Sequence, residues 1–174
     1  MFRRSTILPD MALREIRTND DTILRKTSKT VKEMTPRIKE LIDDMWETLR
    51  DADGVGLAAV QVGILKRLFI IQVDDENAYT FINPEILETD GEQTGSEGCL
   101  SIPGKAGKVT RPNKVKIRAL DADMKPFELE AEELLARAIC HENDHLDGKL
   151  YIDIVEGDIY DVNADEGENE EAED

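Results

Sequence analysis

The chain has 174 residues, 40% of them hydrophobic and 35% charged, the balance of a globular protein in water and a length that suits one domain better than two. Its net charge of −17 comes from 22 basic and 39 acidic residues, and eleven of the acids follow Lys149, the last basic residue. The rest of the chain, 28 acidic against 22 basic, is only mildly acidic; it offers neither the clustered basic face of a nucleic-acid binder nor an apolar run of about 18 residues for a membrane span.

Near the start, Arg3 and Arg4 have no apolar stretch behind them, so no secretory signal is expected, and Cys99 and Cys140 are expected as free thiols in a reducing cytoplasm. Residues 36–50 read as an amphipathic helix: Thr35 caps it, Pro36 suits its first position, and Ile38, Leu41, Ile42, Met45 and Leu49 recur at helical spacing. Gly54-Val55-Gly56 then ends the helix in a loop. Arg67 to Val73 has the β-branched, aromatic character of a buried strand, and Tyr79 to Ile82 reads as a second, interrupted by Asn83-Pro84. Val115, Ile117 and Ala119 alternate with Lys116 and Arg118, and after a turn at Asp121 to Pro126 the chain returns through Phe127 to Glu130 as a hairpin partner. From about Glu130 to Leu146 the pattern is helical, with Leu134, Ala138, His141 and His145 on one stripe and Gly148 as a C-terminal cap. Leu150, Ile152 and Ile154 alternate as a last short strand. Residues 1–162 are expected to form a single catalytic domain and 163–174 an acidic tail too polar to pack. This order of elements suggests an α+β fold rather than a doubly wound parallel sheet.

His141-Glu142-Asn143-Asp144-His145 contains the only two histidines of the chain, four apart on a helix. That spacing puts both imidazoles on one face, able to hold one cation, with Glu142 beside it as a base on water. A pair of helix-surface histidines is the bland alternative; the spacing, the glutamate and the apolar stripe argue jointly against it. The extended protease pattern H-E-x-x-H-x-x-G-x-x-H is met at Gly148 but has Tyr151 at its last position, and no histidine follows. The shorter protease motif needs a carboxylate from a later helix, where only one strand and a polar tail remain. The third donor must come from upstream, and Cys99 in the loop-like Gly98-Cys99-Leu100-Ser101 is the best candidate, because a thiolate binds a borderline-soft divalent ion well. A buried structural thiol is the other reading of Cys99, and Cys140, facing about 100° away from His141, reads as an inert core thiol.

Gly54-x-Gly56-x-x-Ala59 with Asp74 imitates a dinucleotide fingerprint, but a helix precedes the glycines and too few residues follow for a crossover. The better reading is that the glycines let another backbone, such as a bound peptide, approach closely.

Three segments together resemble the signature motifs of the peptide deformylases: Gly54-Val55-Gly56-Leu57-Ala58-Ala59-Val60-Gln61, Glu97-Gly98-Cys99-Leu100-Ser101 and His141-Glu142-Asn143-Asp144-His145. The resemblance implies an α+β fold of mixed, largely antiparallel sheets packed around a central metal-binding helix. It implies removal of the formyl group from the N-terminal methionine of newly synthesised proteins, with release of formate. It implies Fe2+ as the metal, with Zn2+, Ni2+ or Co2+ able to substitute, and Cys99, His141 and His145 as its ligands. Glu142 would shuttle the proton, and the Gln61 amide and Leu100 backbone N–H would hold the oxyanion. Gly54, Val55, Gly56 and Glu97 would flank the formyl-methionyl nascent peptide, Leu134 and Ala138 would line the methionine pocket, and Glu97 with Arg111 would form an ion pair bracing the cysteine loop. Transient association with the ribosome is also implied. Many members continue into a C-terminal helix, sometimes basic and suited to that contact, whereas this chain ends in acid, which repels RNA. Asn143 stands where the family is usually apolar.

Three rivals share parts of the pattern: a zinc endopeptidase, a cysteine hydrolase with Cys99 as nucleophile, and a closed structural metal site.

Overall fold

The computed structural model describes residues 12–163. Helix α1 (Pro36–Asp51) starts where the Thr35 hydroxyl accepts from the Ile38 N–H and Pro36 occupies the first turn. Eight strands follow: β1 (Gly56–Ala58), β2 (Leu68–Gln72), β3 (Ala78–Asp90), β4 (Gln93–Cys99), β5 (Ile102–Arg111), β6 (Lys114–Leu120), β7 (Pro126–Glu132) and, after helix α2 (Glu133–Leu146), β8 (Glu156–Asp161). They form two sheets, β1-β2-β3-β6-β7 and β4-β5-β8. Every ladder between them is antiparallel, and the parallel pairing among the described residues is an isolated bridge between Lys29 and Lys66.

Strand β2 is buried on both faces, which is why its sequence is a continuous apolar run. Leu68 and Ile70 pack with Leu41, Ile42, Met45 and Leu49 of α1, while Phe69 and Ile71 pack with Ala136, Ala138 and Ile139 of α2. The larger sheet is thus held between the two helices. On its other side α2 meets β5 of the smaller sheet, whose own core is Ile102, Val109, Leu150 and Tyr151. The metal-binding candidate helix is therefore central, with a sheet on either side.

Several local expectations change. Gly56 is not loop but the first residue of β1, paired with Ile71. Asn83-Pro84 does not end its strand: β3 runs on to Asp90 through a register shift between Ile82 and Glu85. Asn83 takes a left-handed φ of 50°, and its amide accepts from the Val31 N–H and donates to the Val31 carbonyl, both at 2.8 Å. The expected strand at Leu150, Ile152 and Ile154 is instead a 3-10 turn at Tyr151–Asp153, because the Asp153 carboxylate folds back on the Leu150 N–H at 3.0 Å and pairs with Arg25. The last strand comes later, at β8. Strands β4 and β5 have no counterpart among the elements expected from the sequence, and residues 164–174 of the expected acidic tail lie outside the described residues.

The Asn83 clamp carries two hydrogen bonds and a backbone conformation that Asn tolerates better than most residues. Asn83→Ala is expected to lower the unfolding free energy by about 2 kcal/mol, read by urea denaturation.

Candidate metal centre

The tight hairpin between β4 and β5 pairs Cys99 with Ile102 and carries Cys99 to the face of α2 that bears His141 and His145. Helical spacing puts the two imidazoles on that face with ring centroids 5.0 Å apart. One donor atom from each of Cys99, His141 and His145 lies within 4.8 Å of the others, and Cys99 Sγ is 3.4 Å from His145 Nε2. The distant cysteine and the two histidines do converge. Cys140, by contrast, is buried, and burial pushes its thiol up to about 11, which suits an unreactive core residue.

Glu97 orients the centre. Its carboxylate is buried and accepts Arg111 Nη2 at 2.7 Å, Arg111 Nε at 3.2 Å and Arg137 Nη1 at 2.7 Å, and it holds His141 Nδ1. Arg111 also reaches Asp144 at 2.6 Å. Burial raises the Glu97 pKa, but the bonds from His141 and Arg111 outweigh it and hold the group at about 2. With Nδ1 engaged, the Nε2 of His141 is the nitrogen left for a metal, the arrangement usual for a ligating histidine. Burial lowers the affinity of both imidazoles for a proton. At His141 the neighbouring Cys99 and Glu97 override it and raise the pKa, while at His145 the adjacent His141 depresses it further. The Tyr151 ring stacks on His141 at 6.2 Å.

A cleft of about 520 Å³ opens over this cluster. Every expected site residue lines it except Glu97, whose carboxylate is turned into the protein, and His145, which lies deeper. The Gln61 amide is fully buried and fixed: its Oε1 accepts from the Ala58 N–H at 2.9 Å and its Nε2 donates to Ser101 Oγ at 3.1 Å, with Cys99 Sγ at 3.6 Å. Leu134 stands at the mouth, 52% exposed, and Ala138 lies buried behind it.

Glu142 is buried, its Oε2 has no hydrogen-bond partner, and burial raises its carboxyl to about 7. A Cβ at Gly56 would lie 2.7 Å from Glu142 Oε1, and one at Gly54 would lie 2.8 Å from Leu100 and 2.9 Å from Leu49. These glycines make room for the protein's own side chains. Asn143 is half-buried and its Oδ1 is unpartnered.

The donor set suits a divalent cation: one thiolate, two imidazoles, an orienting carboxylate behind one of them and a buried unpartnered carboxylate beside them. Sequence reasoning missed Arg137, Asp144, Ser101 and Tyr151. Of these, Arg137 left a signal, a guanidinium one turn before His141 on an otherwise apolar stripe.

Comparison with known proteins agrees with this geometry. A family profile described as polypeptide deformylase matches residues 13–158. The chain is 61% identical to a peptide deformylase of Lachnoclostridium phytofermentans over 92% of this chain and 100% of that one, and 62% identical to one of Agathobacter rectalis over 87% and 96%. Among solved structures it is similar to a peptide deformylase from Thermotoga maritima, with 39% identity, a TM-score of 0.81 and coverage of 84% of this chain and 99% of that one. The chain belongs to the peptide deformylase family.

Proposed function

We propose that this protein is a metal-dependent hydrolase that removes the N-formyl group from the N-terminal methionine of newly synthesised proteins and releases formate, acting in the cytoplasm as one catalytic unit over residues 1–162. The observation that carries the reading is the convergence of Cys99, His141 and His145 at the base of a cleft, with the buried carboxylate of Glu142 beside them. Cys99, His141 and His145 hold the cation, which is ferrous iron, with zinc, nickel or cobalt accepted by the same donors. A cation there would supply Lewis acidity, lowering the pKa of water to about 7.

The chain's own groups do the rest. Glu142 takes a proton from the attacking water and delivers it to the leaving amine, so one carboxyl serves as base and then acid. The Gln61 Nε2, held in place by Ala58 and Ser101, and the Leu100 backbone N–H stabilise the oxyanion, each such donor contributing about 3 kcal/mol in the transition state. Gly54, Val55 and Gly56 border the peptide, and Leu134 and Ala138 offer apolar surface to the methionine side chain. Among the described residues no helix is long and apolar enough to cross a membrane. The contact between Cys99 Sγ and His145 Nε2 also fits a cysteine nucleophile with a histidine base.

Incubation with formyl-methionyl peptide under anaerobic conditions, after loading with Fe2+, is expected to release formate, and a chelator is expected to stop it promptly. Metal-loaded protein without formate release overturns the reading, and activity that survives the chelator favours the cysteine hydrolase. Cys99→Ala is expected to lose the metal, measured by elemental analysis. Glu142→Ala is expected to keep the metal and lose turnover by roughly 10²–10⁴-fold. Gly56→Ala, which crowds Glu142 Oε1, is expected to cut kcat by about tenfold or more while the metal content stays unchanged.

A further inference from the structure

The donors around the Glu97 carboxylate are not equivalent. Oε1 faces His141 Nδ1 and receives Arg111 Nη2 at 2.7 Å, whereas Oε2 receives Arg137 Nη1 at 2.7 Å and Arg111 Nε only at 3.2 Å. Arg111 is also shared with Asp144, so two carboxylates meet two guanidiniums in this cluster. Among the described residues Glu97 is the one carboxylate that Arg137 touches; the remaining bonds of Arg137 there go to the Val109 carbonyl at 3.1 Å and the Gln93 carbonyl at 3.4 Å.

We propose that Arg137 is a positioning residue for the metal ligand His141, acting through Glu97. The inference rests on Cys99, His141 and His145 being the cation's ligands. Arg137 anchors Oε2 and stops the carboxylate turning about its terminal bond, which keeps Oε1 aimed at His141 Nδ1. A fixed acceptor at Nδ1 keeps that nitrogen protonated and the lone pair of Nε2 free, as a ligand requires. Arg137 is well placed for this: its side chain is 10% exposed, carbonyls from both β4 and β5 hold the guanidinium, and it precedes His141 by one turn of α2. Without it, Oε2 keeps only the longer bond to Arg111, and one guanidinium is left to balance both Glu97 and Asp144. A strut between α2 and the two strands would affect stability alone; a positioning residue affects how the ion is held, and only while Glu97 is present.

The test uses the full chain loaded with Co2+, following release of the ion to an excess of chromophoric chelator, with the visible absorption of bound Co2+ and thermal unfolding recorded alongside. Arg137→Met, which keeps the apolar stem, is expected to release Co2+ about tenfold faster and to shift the absorption bands. In a Glu97→Gln background the same substitution is expected to change release by less than about twofold. A folded Arg137→Met protein with unchanged release and spectrum overturns the proposal, as does a further tenfold acceleration in the Glu97→Gln background. Should Arg137→Met not fold, Arg137→Gln, which retains an amide donor but brings no charge to Glu97, carries the same expectation and the same overturning result. If the unsubstituted protein takes up no Co2+, the ligand assignment fails and the proposal falls with it.

Discussion

A single buried carboxylate joins the parts of this molecule that do chemistry. Removing an ionised carboxyl from water costs several kcal/mol unless charge and hydrogen bonds replace the lost solvent. Glu97 meets that demand with Arg111, Arg137 and His141, which come from β5 and α2, while Glu97 itself lies on β4 two residues before Cys99. The contacts that satisfy the charge therefore also set the cysteine hairpin against the helix that carries both histidines. Breaking the cluster would leave charges unpaired inside the protein, so the approach of sheet and helix is enforced by an electrostatic cost as well as by apolar packing.

The apolar packing fixes the other side of the centre. With β2 buried on both faces between α1 and α2, the larger sheet is a rigid wall, and β1 at its edge delivers Gly54 to Gly56 and then Gln61 to the rim of the cleft. Glu142 is held at close range from that wall, since the Gly56 position has no room for a side chain. Position in the cleft thus follows from two separate packings, one apolar at β1 and one ionic at β4.

How far the chain could be read in advance depended on whether a feature is local. The period of α2, the cap of α1 and the unbroken apolar run of β2 are written in consecutive residues, and all three were legible. Cys99 could be singled out because downstream of His145 there is no further histidine and no later helix was expected to carry a carboxylate. Strands β4 and β5 could not be read, because Gly95, Gly98, Gly104 and Gly107 dilute their β character. At least two of these glycines answer to distant parts of the fold: a side chain at Gly107 would run into Val155, and one at Gly98 would crowd the Lys105 carbonyl. The inward turn of Glu97 was hidden for the same reason, since its partners stand 14 to 44 residues away. The alternation at Leu150, Ile152 and Ile154 misled because a carboxylate at Asp153 offered the backbone a local turn.

The donors that would share one ion come from both ends of a long excursion of the chain: two from a single helix and one from a hairpin 46 residues before His145. An ion gripped by all three ties the two ends of this excursion together in the folded chain, and because the unfolded chain offers no such site, its binding free energy adds to that of folding. Holding the metal and holding the small sheet on α2 are then one thermodynamic event, and depletion of the metal weakens the architecture along the seam where β4 and β5 meet the helix.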